Sequence, residues 1–106
     1  METIEPLTSA DAIRLITTAE TQIRALGVAR LALFGSVLRG SARIDSDVDL
    51  LVQFLPGQKT FERFLQLSEL LESMLGRRVE LVTIESLSPF IGPRILAEAK
   101  DVVRAA

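Results

Sequence analysis

Two short apolar runs, separated by a polar stretch rich in glycine and serine, constrain the fold of this chain more than any other feature. The first run, residues 31–34, ends at Gly35 and Ser36, and the second begins after Asp47. Short apolar runs bounded by turn residues are typical of buried β-strands. The stretch therefore predicts two strands of one sheet, joined by a connection that leaves the sheet and returns to it.

The turn at Gly35 and Ser36 has the composition of a phosphate-binding turn. Glycine lacks a Cβ, so the backbone N–H groups around it can approach an anion closely. Arg39 follows shortly afterwards and is a candidate to neutralise the charge of a polyphosphate. A solvated loop charge is the alternative for Arg39, and it is the preferred interpretation for Arg43.

Asp47 and Asp49 are two residues apart at the start of the second apolar run. On a strand, this spacing places both side chains on one face, roughly 6–7 Å apart along the chain. Neighbouring carboxylates repel each other unless a positive charge lies between them, and Mg²⁺ prefers carboxylate and phosphate oxygens. The pattern predicts metal-assisted phosphoryl or nucleotidyl transfer. Asp45 is interpreted as a turn residue.

These residues carry a family resemblance. Gly35 and Ser36, then ten residues, then Asp47 and Asp49, resemble the signature of the polymerase-β-like nucleotidyltransferases, and the short chain resembles their minimal members, the MNT domains. The resemblance implies an α/β fold with a small mixed sheet and helices packed mainly on one face. It also implies transfer of AMP from ATP to a hydroxyl, with one or two Mg²⁺ ions at the aspartates and the phosphates at Gly35 and Ser36.

Glu80 is the discordant residue of a third predicted strand, residues 79–84. Because this strand follows a predicted helix, we expect a crossover into the same sheet. In the family that the chain resembles, this position supplies a third site carboxylate, usually an aspartate, which would bind a metal or accept the proton of the incoming hydroxyl. A solvent-facing acid, or one paired with Arg77 or Arg78, is the alternative.

The resemblance extends to the MntA-like antitoxins of HEPN/MNT toxin–antitoxin pairs. It implies a HEPN-type ribonuclease toxin as partner in a hetero-oligomeric complex, and a tyrosine of that toxin as the acceptor of AMP. The chain has no tyrosine, which is consistent with acceptance in trans. One alternative is a binding module that neutralises its partner by occlusion, which glutamate in place of aspartate at position 80 favours. Another is transfer to a small molecule.

Composition limits the remaining classes. The 106 residues contain no cysteine and no histidine, which excludes thiol chemistry, Cys/His zinc sites and imidazole catalysis. A formal net charge of −2 argues against direct nucleic-acid binding. The length predicts one domain over residues 1–106, and no signal peptide or membrane-length apolar run appears. A cytoplasmic protein is expected.

The rest of the chain predicts helices around the sheet. One amphipathic helix is expected over residues 8–26, with Thr8 as its N-cap and Gly27 as its stop. A second is expected over residues 60–75, and a closing helix has Pro93 in its first turn. The predicted buried side chains of the second helix are Phe61, Phe64, Leu65, Leu71 and Leu75. Residues 102–103 are left open between helix and edge strand.

Overall fold

The computed structural model describes residues 5–104, which form a four-stranded sheet and five α-helices. The α-helices are α1 (Ser9–Thr18), α2 (Glu20–Ala25), α3 (Gly35–Arg39), α4 (Phe61–Leu75) and α5 (Gly92–Glu98). The strands are β1 (Val28–Phe34), β2 (Val48–Phe54), β3 (Val79–Thr83) and β4 (Lys100–Arg104), and a 3₁₀ turn covers Ile84–Ser86. Among the described helices, none has the length and apolar character needed to cross a membrane.

The sheet is mixed, as predicted, and its strand order is β3-β2-β1-β4. β1 runs antiparallel to both β2 and β4, whereas β2 and β3 are parallel. The parallel pair is joined through α4, which is the crossover predicted for the third strand. Residues 102–103, left open by the sequence, lie in the edge strand β4.

The main core lies between one face of the sheet and helices α1, α2 and α4. The register pairs Leu31 with Val52 and Leu33 with Leu50, so these four side chains share that face. All four are fully buried in one cluster with residues of the three helices. The prediction of helices mainly on one face is therefore confirmed, and Asp49, which alternates with Leu50, belongs to the other face.

The first predicted helix is wrong in one respect, because the structure breaks it at Ala19 into α1 and α2. Thr8 is the N-cap as expected, and its side chain accepts a hydrogen bond from the Asp11 N–H. Near the end of α1, the hydroxyls of Thr17 and Thr18 donate to the Ile13 and Leu15 carbonyls at 2.7 and 2.6 Å. Such back-bonding bends helices, and here it accompanies the break.

The predicted buried face of α4 is also partly wrong. Phe61 and Leu65 are 81% and 45% exposed, whereas Leu67, Leu71 and Leu75 are buried. With 3.6 residues per turn, Leu65 points roughly 120° away from the centre of the Leu67, Leu71 and Leu75 face. The core therefore takes the four-residue repeat that begins at Leu67, and Phe61 lies outside it.

Candidate active site

The site residues are brought together by strand pairing in the middle of the sheet. Asp49 of β2 pairs with Phe34 of the antiparallel neighbour β1 and with Glu80 of the parallel neighbour β3. Paired residues project to the same face of a sheet. The carboxyl groups of Asp49 and Glu80 therefore lie side by side on the face away from the main core.

The surroundings of Asp49 disfavour the ionised form of its carboxyl group. Burial, the hydrogen bond with Glu80, and repulsion by Glu80 and Asp47 raise the pKa of Asp49 to about 6, while Arg39 acts in the opposite direction. Asp47 lies just before β2 rather than within it, yet it is close enough to act on Asp49. A bound cation would offset both the burial and the repulsion that disfavour ionised Asp49, so the site favours cation binding.

Gly35 lies directly against Asp49, and the backbone there suits only glycine. A Cβ on Gly35 would lie 2.0 Å from the Oδ2 atom of Asp49, which no side chain could accommodate without displacing the carboxylate. Its φ of +78° is also in the left-handed region that glycine adopts at little cost. The glycine of the sequence signature thus allows the backbone to touch the site carboxylate.

Two groups that the sequence singled out for phosphate binding converge on one oxygen atom. The Gly35 N–H and the Arg39 guanidinium donate to Oε1 of Glu98, at 2.9 and 2.8 Å respectively. Ser36 is half-buried in the first turn of α3, the one-turn helix that begins the polar connection. The structure therefore builds a two-donor seat for a negatively charged oxygen beside Asp49.

Glu98 is the site residue that sequence reasoning missed. It is the last residue of α5 and lies 63 positions from Gly35 in the chain. No motif or periodicity marks it, since a glutamate near the end of an amphipathic helix is ordinary. Its contacts with Gly35 and Arg39 depend on the pairing of β4 with β1, which brings the end of α5 next to the start of α3.

The structure also shows the surroundings of Asp45, Arg43 and Glu80. Asp45 lies exposed in a turn, as interpreted, and the neighbouring Arg43 N–H donates to the Ser46 hydroxyl within the same connection. Glu80 faces Asp49, while the Arg77 side chain donates to the Glu5 carbonyl. Within residues 5–104, Glu80 forms no ion pair with Arg77 or Arg78. It is exposed on the edge strand β3, as the solvent-facing alternative expects, and it also faces Asp49.

An open cleft of about 440 Å³ lies over these groups. Its floor is the sheet face that carries Asp49 and Glu80, and its opposite wall is α5 with the segment before it. Positive and negative side chains are both present in the lining. The lining residues are Phe34, Gly35, Arg39, Asp49, Glu80, Val82, Leu87, Ile91, Arg94, Ile95 and Glu98.

Within residues 5–104, no group of three or more acidic, histidine or cysteine side chains has the geometry of a complete metal site. Mg²⁺ at nucleotide sites is usually bound through one or two carboxylates together with substrate phosphates. The paired Asp49 and Glu80, with Asp47 nearby, fit such a partial ligand set in their chemistry. Hard oxygen donors with excess negative charge suit a hard divalent cation.

Comparison with known proteins agrees with this geometry. Residues 16–102 match the family model described as a nucleotidyltransferase domain. The protein adenylyltransferase MntA of Thermococcus cleftensis is 39% identical over 95 residues, which cover 87% of this chain and 93% of that protein. A solved structure described as a candidate minimal nucleotidyltransferase has a TM-score of 0.69 at 36% identity, covering 83% of this chain and 93% of its own.

A more distant solved structure shares the fold alone. It contains a tri-AMPylated HEPN toxin of Shewanella oneidensis in complex with an MNT antitoxin, and it matches with a TM-score of 0.62 at 21% identity. The match covers 88% of this chain and 73% of that one. Taken with the family match over residues 16–102, these likenesses confirm the resemblance to minimal nucleotidyltransferases, and the chain belongs to the nucleotidyltransferase domain family.

Proposed function

We propose that this nucleotidyltransferase transfers AMP from ATP to a hydroxyl of a partner protein and thereby acts as the antitoxin of a HEPN-type toxin. The observation that carries the proposal is the register that places Asp49 beside Glu80, with the Gly35 N–H and Arg39 forming an anion seat next to them. The name of the relative that is 39% identical, a protein adenylyltransferase, supports a protein as the acceptor.

In this proposal, the site residues fall into a metal-binding group and a phosphate-binding group. Asp47 and Asp49, with Glu80, would hold Mg²⁺, whose contribution is to neutralise charge on the transferred and leaving phosphates. Gly35, Ser36 and Arg39 would bind the β- and γ-phosphates. With these roles, the α-phosphorus would lie near the carboxylates, where the acceptor hydroxyl could approach it.

The transfer itself requires one proton acceptor. The hydroxyl oxygen forms a bond to the α-phosphorus, the bond from that phosphorus to the α–β bridging oxygen breaks, and pyrophosphate leaves. The hydroxyl proton passes to a carboxylate, and Glu80 is our candidate because it lies beside Asp49 at the open side of the cleft. A carboxylate within hydrogen-bond reach of the attacking group is what general base catalysis needs.

A macromolecular partner is supported by the exposed apolar surface. Phe61 is 81% exposed, Phe90 is 89% exposed and Ile91 is 54% exposed. Phe90 and Ile91 immediately precede α5, so they lie beside the wall of the cleft. A protein that docked there would bring its own hydroxyl towards the site. The tyrosine acceptor, the hetero-oligomeric complex and the cytoplasmic location expected from the sequence stay predictions.

The test is a labelling experiment with the co-encoded partner protein and Mg²⁺. ATP labelled at the α-phosphate should label the partner covalently, and ATP labelled at the γ-phosphate should not. The rate of AMP transfer should fall at least about 100-fold in the Asp47→Asn/Asp49→Asn variant, because charge stabilisation in the transition state is removed. Asp45→Asn, an exposed aspartate in the same connection, is the matched control and should transfer normally.

Two outcomes would contradict the proposal. Label from the γ-phosphate only would make the protein a kinase. No label from either position, with stable binding of the partner by both the wild type and the double variant, would favour neutralisation by occlusion. The exposed Phe61, Phe90 and Ile91 are equally suited to that second function.

A further inference from the structure

Glu98 makes contacts that resemble those of a bound phosphate. One of its oxygens accepts hydrogen bonds from the Gly35 N–H at 2.9 Å and from the Arg39 guanidinium at 2.8 Å. A backbone N–H and a guanidinium that meet on one anionic oxygen also form the usual donor set for a phosphate oxygen. The carboxylate therefore occupies the seat that the proposed reaction assigns to the triphosphate.

We infer that Glu98 is an internal competitor of the nucleotide, and that ATP binds only after its phosphate has displaced the Glu98 carboxylate from Gly35 and Arg39. This inference rests on the proposed function, since it concerns the affinity of the same site. Two anionic oxygens cannot occupy one position between the same donors. The apparent affinity for ATP is then reduced by the fraction of molecules in which Glu98 holds the seat.

The structure allows this displacement at little cost. The Glu98 side chain is 32% exposed and its partner Arg39 is 56% exposed, so the ion pair is screened by solvent. Of the residues of α5, only Gly92 is buried. The next strand, β4, is anchored to β1 from Lys100 onwards. The Glu98 side chain can therefore swing into solvent while the sheet stays in place.

The same contacts explain why the seat needs an occupant when no nucleotide is bound. The Gly35 N–H lies in a part-buried position, and a buried donor without a partner costs free energy. Without Glu98, Arg39 would lose its ion pair at 2.8 Å and keep only its electrostatic interaction with Asp49. Glu98 satisfies both groups with a ligand weaker than a triphosphate, because a carboxylate carries one negative charge and a triphosphate carries several.

The test measures the affinity for an ATP analogue that cannot transfer AMP. Titration calorimetry with the α,β-methylene analogue of ATP and Mg²⁺ gives the Kd for the wild type, Glu98→Gln and Glu98→Ala. We expect Kd to fall about three- to tenfold in both variants, with the larger change in Glu98→Ala, because glutamine can still accept from the Gly35 N–H. The Kd for adenosine, which has no phosphate, should stay within twofold of the wild type.

Glu85→Gln is the matched control. Glu85 also forms an exposed ion pair, with Lys59 at 3.3 Å, but it does not line the cleft. Its replacement should leave the Kd for the analogue unchanged. The amide resonance of Gly35 gives a second measurement, since its hydrogen bond to Glu98 is weakened in Glu98→Gln and lost in Glu98→Ala. The resonance should shift in both variants, more in Glu98→Ala, and not in Glu85→Gln.

The outcomes separate this inference from the proposed function. If the wild type binds the analogue and the Glu98 variants bind it equally or more weakly, the inference is wrong and the proposed function stands. Loss of AMP transfer in Glu98→Gln without tighter binding would instead make Glu98 a catalytic residue. If neither the wild type nor the variants bind the analogue, the proposed function and the inference are both wrong.

Discussion

The pH dependence of the free energy of unfolding measures how strongly the folded protein disfavours the ionised form of Asp49. Burial and the hydrogen bond with Glu80 raise the pKa of Asp49 from 3.8 to about 6 in the folded protein. The folded state therefore binds this proton more tightly than the unfolded chain. The resulting stabilisation is complete below pH 3.8 and is lost as the pH rises through 6. We predict that the protein without Mg²⁺ and nucleotide loses stability between pH 5 and pH 7, and that Asp49→Asn removes most of this loss.

The size of the effect follows from the pKa of about 6. At pH 5, one pH unit below it, the bound proton contributes at most about 1.4 kcal/mol relative to the ionised protein. At pH 7 almost none of that contribution is left. Asp49 is only partly buried, and screening by solvent reduces the difference to roughly 0.5–1 kcal/mol. For a domain of this size, that corresponds to a Tm difference of about 2–8 °C.

Urea unfolding followed by circular dichroism, at pH 5 and pH 7 with a chelator present, measures the free energy of unfolding under both conditions. The chain contains no histidine, so no imidazole titrates in this window and the change is not masked. Asp45→Asn is the matched control. Asp45 is exposed in the connection before β2, and its replacement should leave the pH dependence unchanged.

Two results would refute this reasoning. One is a wild-type stability that is flat or rises from pH 5 to pH 7, and the other is an Asp49→Asn variant that keeps the full loss.

Glu80→Gln should show a pH-dependent loss of stability between that of the wild type and that of Asp49→Asn. It removes the charge that acts on Asp49 but leaves the burial of Asp49, which is the largest cause of its raised pKa. Only part of the pH-dependent loss should therefore disappear in Glu80→Gln.

Three further predictions concern the support of the site and the core. Gly35→Ala should destabilise the protein more than Gly40→Ala in urea unfolding. Both residues have positive φ values near +78°, and the left-handed strain that alanine would share at both is about 1–2 kcal/mol. Only at position 35 would the added Cβ also lie 2.0 Å from a carboxylate oxygen, whereas a Cβ at position 40 meets open space. Leu71→Ala should cost about 2–5 kcal/mol, since Leu71 is fully buried, without changing the Kd for nucleotide per folded molecule. Burial raises the pKa of Asp101, but the hydrogen bonds and charges of Arg30 and Arg104 lower it overall. Asp101→Asn should therefore lower the free energy of unfolding by about 0.5–1 kcal/mol at pH 7. Below the folded-state pKa of Asp101 the substitution should have no effect, and measurements of Tm at both pH values check this.

The part of the site that a short stretch of sequence builds could be predicted. Gly35, Asp47 and Asp49 lie within fifteen residues, from the start of α3 to the beginning of β2. Because β1 and β2 are paired neighbours, the chain spacing alone brings the glycine onto the carboxylate. The register of Glu80 with Asp49 was predictable in outline, because a strand, helix and strand in succession form a parallel crossover.

The parts that depend on distant contacts could not be predicted. Glu98 reaches Gly35 across 63 positions, and no local pattern encodes such a contact. The break at Ala19 and the exposure of Phe61 were missed for a related reason. Periodicity identifies apolar residues on a helix, but the sheet beneath decides which of them are covered, and in α4 it covers the face that contains Leu67.

The placement of the site on the face opposite the core explains how its carboxylates can be both positioned and accessible. Val48 and Leu50, on either side of Asp49, are fully buried in the main core. Their packing fixes the backbone of β2, so the carboxylate between them is held without being enclosed. Across the cleft from this face lies α5, whose last residue, Glu98, accepts the hydrogen bonds of the anion seat. Displacement of Glu98 by a phosphate would therefore remove the hydrogen bonds between α5 and the anion seat when the nucleotide enters the cleft.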